Sequence, residues 1–513
     1  MNDFARDKIG CYAVWLLIIV MAAAVRFYAI TEPYVWHDEA FSVWISSLSP
    51  EAIWFHTGRD VHPPLYYLVL HGWIELFGKT AFSIRTPSAI AGVATVALCI
   101  VMVRKWVSYR ASIMAGVLLA LFPMLVRFSQ EARMYALETL FITGATFALA
   151  CWVERSERYR YGVLYAVLMI AALYTHYYAI LAALAHWLYL VILRLHPSIR
   201  AGYVTSLPWW CFNLMIVVAY VPWLFSLVDL LVNYSKLKAT GATTWMYMGN
   251  TYTLPDTVWR FFMLKSDVAV FTPVYWVLPI TLVLIAGCLL VVDRTQYKLA
   301  TLLVLFSFVP MFVLFVVSLI MPAFYERYVM FSAVGLPLIL AIGLVGMHRE
   351  YRVVSAVLFV AVVCVELFGL KLNYSQKGQV GYSESIHEFR FPEVFDYISR
   401  HRQEGDIVVV GAGHYYFSGV FYNGGDSGLY LYWPSLNKNG STRPSGYGAG
   451  TLMYDTWDDH TISDLDSMPS SVKRVWWLSV APSEIHRIQY SGQWREVEAR
   501  PAGKLDLRLY QAP

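Results

Sequence analysis

Five short stretches of this sequence hold residue types that could share one chemical task. They are W-H-D-E at 36–39, R-D-V-H-P-P-L-Y-Y at 59–67, S-Q-E-A-R-M-Y at 129–135, T-H-Y-Y at 175–178 and F-Y-E-R-Y at 324–328. Adjacent carboxylates such as Asp38 and Glu39 can divide labour, one accepting a proton from a nucleophile while the other holds a hydroxyl or a metal. Alone, such a pair is more often an exposed loop pair that caps the helix that follows. Glu131, Tyr135 and Glu138 recur at i, i+4 and i+7, which predicts one shared helical face. A carboxylate such as Glu138 inside an apolar segment costs about 2.5–3.5 kcal/mol on insertion scales, so it needs a polar cavity or a partner. Arg133 and Arg327 are either ligand clamps or cations that snorkel to headgroups. His62 and His176 are either site residues or ordinary interfacial histidines. Asp38, Glu39, Asp60, His62, Glu131 and His176 could bind a divalent metal, but their spacing is not diagnostic of one.

A membrane topology is what could bring such scattered residues together. The chain has 513 residues, 58% of them hydrophobic and 14% charged, against a typical charged share of about 25%. Mean hydropathy is +0.51. These values exclude both an ordinary cytosolic enzyme and a disordered chain. The net charge of +4, from 39 basic and 35 acidic residues, is too mild to suggest nucleic acid. The six cysteines, Cys11, Cys99, Cys151, Cys211, Cys288 and Cys364, lie in or beside apolar runs. Without CxxC or zinc spacing they read as small core residues, with no disulfide framework.

Crossing ~30 Å of hydrocarbon takes roughly 20 apolar residues. Eleven segments qualify, near 11–30, 84–103, 111–127, 134–152, 161–178, 179–193, 207–225, 273–292, 299–320, 328–347 and 353–372. Arg6/Lys8, Arg104/Lys105/Arg110, Arg155/Arg158/Arg160, Arg194/Arg200, Arg294/Lys298 and Arg349/Arg352 fall in alternate connections. The positive-inside rule then places the N-terminus in the cytoplasm and the C-terminus outside. A cleaved signal peptide ending near Ala22-Ala23-Ala24 is the alternative reading of the start.

The expected fold is therefore a polytopic α-helical membrane protein with a C-terminal external α/β domain. Residues 1–372 form the membrane part, with external loops 31–83 and 226–272, and residues 373–513 form the soluble part. Counting 62–79 as a span would invert every later loop, so it is read as an amphipathic helix in the external interface, started by Pro63-Pro64. Strand-like runs at 406–413, 472–482 and 504–511 support the tail's class. GAGHYYFSG at 411–419 follows a strand, but its glycine spacing is not the dinucleotide fingerprint. All five chemical stretches fall on the external side.

The order of these stretches resembles the GT-C membrane glycosyltransferases. A DE pair follows the first span, D-x-H-P-P-L precedes the second, and E-A-R-x-Y and then E-R-Y open later ones. The dolichyl-phosphate-mannose protein mannosyltransferases and the bacterial aminoarabinose transferases are the nearest groups. The match covers roughly 10–370, while the tail resembles the latter group only in being external.

The resemblance implies inverting transfer of a hexosyl or pentosyl group from a polyprenyl-phosphate donor to a lipid or glycan acceptor, on the periplasmic face of a bacterial inner membrane. It makes Asp38 the catalytic carboxylate. Glu39, Asp60, His62, Glu131, Tyr135, His176 and Tyr177 become sugar or acceptor contacts. Arg327, Arg133, Arg59 and Tyr328 become contacts for the donor phosphate. No cofactor is required, and a divalent metal stays open. Tyr66-Tyr67 stand where the mannosyltransferases carry G-K, and no room exists between spans 7 and 8 for their inserted β-trefoil domain. A protein hydroxyl is accordingly the second acceptor class. Outside enzymes, a transporter is the main alternative, disfavoured because ionisable groups deep within the spans number only two clear cases, Glu138 and Glu366. A receptor or scaffold built on the tail is the other.

Overall fold

Each apolar segment is helical, because a chain in hydrocarbon must satisfy its own N–H and C=O groups. The computed structural model describes residues 2–196, 202, 206–239, 246–266, 272–293, 297–348, 350–378, 380, 388–433, 446–463, 465, 468, 471–480 and 494–512. Arg200, Arg294 and Arg349 lie outside the described residues.

Helix α1 (Asn2–Phe27) leads into three short helices, α2 (His37–Ile45), α3 (Pro50–Thr57) and α4 (Leu65–Phe77). Next come α5 (Ala81–Trp106), α6 (Tyr109–Leu121), α7 (Pro123–Ser129) and α8 (Tyr135–Glu154). They are followed by α9 (Tyr159–Leu173), α10 (Ala179–Leu195) and α11 (Leu207–Val232). Two short helices, α12 (Tyr234–Ala239) and α13 (Thr253–Met263), precede α14 (Thr272–Val292) and α15 (Leu299–Ser318). The next span is broken into a 3-10 turn (Glu326–Val329), α16 (Met330–Ala333) and α17 (Gly335–Met347), and α18 (Arg352–Tyr374) completes the helical part.

Seven of these segments are long and apolar enough to cross a membrane, eight with the bent pair α6–α7 taken as one. Shorter apolar helices at Tyr12–Phe27, α9 and α10 occupy the remaining expected positions, so every segment read from the sequence is a helix. With 13 residues, α4 rises about 20 Å, too little to span. It buries Tyr66, Tyr67, Leu70 and Ile74 along one side.

The bend between α6 and α7 is 54° and falls at Phe122-Pro123. Pro123 offers no N–H to the Leu119 carbonyl four residues back. Arg26, buried at the end of α1, supplies the missing donors: its guanidinium reaches the carbonyls of Leu119 at 3.2 Å and Ala120 at 3.1 Å. Gly92 on α5 permits this approach, since a Cβ there would lie 2.1 Å from Ser129 Oγ and 2.7 Å from Arg26 Nε.

Beyond α18 the chain builds a six-stranded sheet from β1 (Ile407–Val410), β2 (Leu429–Tyr432), β3 (Thr461–Ile462), β4 (Arg474–Val480), β5 (Arg495–Ala502) and β6 (Leu505–Gln511). The order is β3-β2-β1-β4-β6-β5; β3, β2, β1 and β4 run parallel, and β6 is antiparallel to both β4 and β5. The run I-V-V-V of β1 is buried throughout, as a strand covered on both faces requires. Phe391 and Phe395 of α19 (Phe391–His401) and Tyr416 of α20 (Gly413–Asn423) cover one face with Val408 and Val410. A short helix, α21 (Trp457–His460), leads into β3. Residues 481–482 of the third expected strand lie outside the described residues.

The cysteines depart from the core reading: Cys99 and Cys151 are buried, whereas Cys211, Cys288 and Cys364 are exposed on the sides of membrane helices. Among the described residues all are unbridged, and the side chain of Cys11 lies outside them.

Candidate functional site

Alternate helices return the five stretches to one end of the bundle, and most of their polar side chains meet there. Asp38 sits in the first turn of α2, where the helix dipole favours an anion. Its carboxylate lies 3.5 Å from Nη1 of Arg327 and is one-fifth exposed. Arg327 is buried and ringed by aromatics, its guanidinium 4.6 Å from the Tyr325 ring centre, 5.5 Å from Tyr135, and 6.0 Å from Trp36 and Tyr328. Its Nε and Nη1 have no hydrogen-bond partner among the described residues.

Arg133 approaches Asp38 from another element. It donates to the Asp38 carbonyl at 3.2 Å and to Ser42 Oγ at 3.0 Å, and lies 3.5 Å from His62. His62 is in turn 3.5 Å from Asp60, and its ring centre is 5.5 Å from that of His176. His176 is 3.6 Å from Glu138, and its ring lies 5.8 Å from Tyr135 and 5.4 Å from Tyr328. The phenol of Tyr177 accepts from Trp223 at 3.2 Å, and Tyr178 stacks on Tyr328 at 5.1 Å. Asp38, Asp60, His62, Arg133, Tyr135, His176, Arg327 and Tyr328 thus form one continuous cluster, with Tyr177 beside it.

The electrostatics separate the two aspartates. Burial would raise Asp38, but the guanidinium groups of Arg133 and Arg327 hold its carboxyl below the usual range. Asp60 keeps less compensation, and burial pushes it up to about 6. His62 and His176 are pushed well below the usual range, first by burial and then by neighbouring cations, so both are neutral.

Three expected site residues stand elsewhere. Glu39 is fully buried and spent: Arg85 grips both its oxygens at 2.7 and 2.6 Å, and the Ala132 N–H donates to it at 2.8 Å. Arg85 also donates to the carbonyls of Ile30, Pro33 and Tyr34, so the pair pins loop 31–36 against α5. Glu131 precedes the start of α8 and so does not share a helical face with Tyr135 and Glu138; it pairs with Arg127 at 2.8 Å, both buried. Arg59 lies over the Phe55 ring at 4.0 Å, and its carbonyl accepts from Gly448 N–H.

Residues 61–225 match the family model described as dolichyl-phosphate-mannose-protein mannosyltransferase. No curated protein matches by sequence at a significant level. Among solved structures, ArnT from Cupriavidus metallidurans bound to undecaprenyl phosphate superposes with a TM-score of 0.61 at 14% identity, covering 96% of this chain and 97% of that one. This is a GT-C fold. A second similar structure is the oligosaccharyltransferase AglB from Archaeoglobus fulgidus in complex with an inhibitory peptide and a dolichol-phosphate, with a TM-score of 0.56 at 10% identity over 92% of this chain and 70% of that one.

Within the GT-C fold, several contributors to the cluster carried no mark in the sequence reading. Tyr247 OH donates to Glu326 at 2.7 Å, and Arg260 pairs with the same carboxylate, so loop 226–272 anchors the residue next to Arg327. The ionisable groups buried within the helices include Arg26 and Arg85 besides Glu138 and Glu366. Each could have been flagged by the rule that singled out Glu138, since a charge in an apolar segment needs a partner. Among the described residues no three of His, Cys, Asp and Glu are placed to hold a metal ion. An apolar cavity of about 210 Å³, lined by Met102, Trp106, Ala150, Leu289, Leu303 and Ile342, lies at the far end of α5. It is roughly 25 Å from Arg85 along that helix and shares nothing with the cluster.

Proposed function

We propose that this chain is an inverting glycosyltransferase that moves a sugar from a polyprenyl-phosphate donor to a lipid or glycan acceptor on the external, periplasmic face of a bacterial inner membrane. One observation carries the reading: a buried guanidinium with unpartnered donors, Arg327, stands in an aromatic cage 3.5 Å from the Asp38 carboxylate. A guanidinium fork with unspent N–H groups suits phosphate oxygens, and the adjacent carboxylate suits proton removal. The lipid phosphates bound in the two similar structures, undecaprenyl phosphate and dolichol-phosphate, support the donor class.

The phosphate of such a donor is already a good leaving group, so the chemistry needs a cation more than an acid. Arg327 stabilises the departing phosphate, with Arg133 close by. Asp38 takes the proton of the acceptor hydroxyl as that oxygen attacks the anomeric carbon opposite the phosphate, which inverts the centre. Before donor binding, Arg327 and Arg133 hold Asp38 in its ionised form. A phosphate seated on Arg327 takes up part of that positive charge and returns basicity to Asp38, coupling donor binding to acceptor activation. His62, Tyr135, His176 and Tyr177 contact the sugar, and Tyr328 closes the cage around Arg327.

The test is a panel of synthetic polyprenyl-phosphate sugars incubated with membranes containing the protein. Consumption of one donor with label in a lipid or glycan fraction is expected. Label in protein would shift the acceptor to a protein hydroxyl, and consumption of no donor would end the reading. Labelling of a cysteine placed at Ser47 from outside intact cells checks the face.

A further inference from the structure

The cluster has a wall that comes from the C-terminal sheet unit. Helix α20 lies across α2, the helix that presents Asp38. The contact is made of rings: Phe417 of α20 stands edge-on to Phe41 at 5.6 Å and to His37 at 5.0 Å. The Tyr422 phenol oxygen accepts from the Val35 N–H at 2.8 Å. At the tip, the imidazoles of His37 and His414 stack, 4.9 Å apart and 17° from parallel. Nδ1 of His37 lies 3.0 Å from the His414 carbonyl, so His37 donates there and its ring is fixed. Tyr416 and Phe417 are buried beneath, whereas His414 is exposed. Neither ring nitrogen of His414 has a hydrogen-bond partner among the described residues.

Asp38 therefore has neighbours of two kinds. Arg327 and its cage belong to the membrane bundle, the side from which a lipid-borne donor arrives. His37 and His414 belong to the water-facing side. An acceptor that approaches Asp38 along His37 meets the exposed His414 ring.

We propose that His414 is an acceptor-binding residue: its exposed imidazole, stacked on His37 beside Asp38, hydrogen-bonds a hydroxyl of a saccharide acceptor. This rests on the glycosyl-transfer reading above and adds the acceptor's side of the site and its chemical class. Burial first lowers the affinity of His414 for a second proton, so at neutral pH the ring is uncharged. A neutral imidazole offers one donor and one acceptor nitrogen, which suits a hydroxyl that is both, and it does not compete with Arg327 for phosphate. In this proposal the C-terminal unit contributes a side chain to the site.

The experiment uses the full chain with His414→Ala and His414→Gln. The donor is the polyprenyl-phosphate sugar that the wild type consumes, and the acceptor is the glycolipid fraction extracted from the same membranes, titrated by its sugar content. His414→Ala is expected to raise the acceptor KM about tenfold while the donor KM stays at the wild-type value. His414→Gln, which keeps both a donor and an acceptor, should recover most of the loss. Unchanged acceptor KM in both variants overturns the proposal, as does a parallel rise in both KM values or a shared fall in melting temperature, which would make His414 a prop between the two units. If the wild type consumes a donor and Asp38→Asn does not, either failure leaves the transfer reading standing. If no donor is consumed, both fall; label that passes only to protein overturns the saccharide acceptor proposed here and shifts the transfer reading to a protein hydroxyl.

Discussion

Asp38 and Glu39 are chain neighbours in opposite surroundings. Glu39 faces α5, where a bidentate guanidinium and a backbone N–H occupy it in a fully buried seat. Asp38 faces the cluster, partly exposed, with one long contact to an arginine whose Nε and Nη1 have no hydrogen-bond partner among the described residues. A helical turn of about 100° between consecutive residues is enough to send two like groups to different fates. The lesson is that a paired carboxylate motif names a location and leaves the division of labour to the partners each group finds.

The comparison predicts that the two carboxylates fail in different currencies. Asp38→Asn keeps size and hydrogen-bonding reach but cannot take a proton. Loss of a general base costs 10²–10⁴ in rate, about 2.7–5.4 kcal/mol, and turnover should fall that far with donor binding and melting temperature kept. More than about a tenth of wild-type turnover at saturating substrates would unseat Asp38. Glu39→Gln leaves Arg85 as a buried, uncompensated charge, and breaking such a pair costs about 3–5 kcal/mol of stability. Folded yield and melting temperature should drop, while whatever folds keeps its donor KM. An inactive but fully stable Glu39→Gln protein would erase the contrast.

Asp60 adds a third carboxyl group whose environment shows through pH. Its folded value of about 6 lies above its ordinary 3.8, so the folded state binds the proton more tightly than the unfolded chain. That contribution is fully present below about pH 3.8 and is lost as pH rises through 6, a swing of roughly 3 kcal/mol. The stability of Asp60→Asn relative to wild type should therefore rise between pH 4 and 7. A difference independent of pH would show that Asp60 titrates as an exposed group. The smallest effect is expected at Arg327. Arg327→Lys keeps the charge but loses the fork, and should raise donor KM about tenfold, with Arg327→Ala weaker still. Normal donor binding in both variants would reduce Arg327 to a lipid anchor.

Much of this architecture was legible in the sequence, because hydrocarbon thickness dictates segment length and alternate connections fix which stretches share an end. That logic brought Trp36, Asp60, Arg133, His176 and Arg327 together across almost 300 residues. It could not assign partners. Arg85 reads as one more basic residue at a span start, and only the fold shows it turned inward to Glu39, 46 positions earlier. Glu131 was placed on a helix that begins four residues later, since the S-Q-E-A-R-M turn has the same local composition as a helix start. Arg59 follows α3 and turns onto Phe55, a choice set by the neighbouring ring. His414 lies 377 residues from His37, and no local pattern links them.

The bend at Pro123 gives the assembly of this protein an order in time. The carbonyls that Arg26 satisfies are 93 and 94 residues downstream of it. At a synthesis rate of about 5–20 residues per second, roughly 5–20 s separate the two. During that interval the first helix carries a guanidinium whose later partners do not yet exist, and its contact with Ala22 in its own helix is what the nascent chain can offer. Only when α6 and α7 arrive does the kink close around it. The turn bearing Glu131 and Arg133 follows directly, so its seat is set by a residue made long before. A ribosome paused between the two would leave the first helix waiting and the cluster without its third stretch.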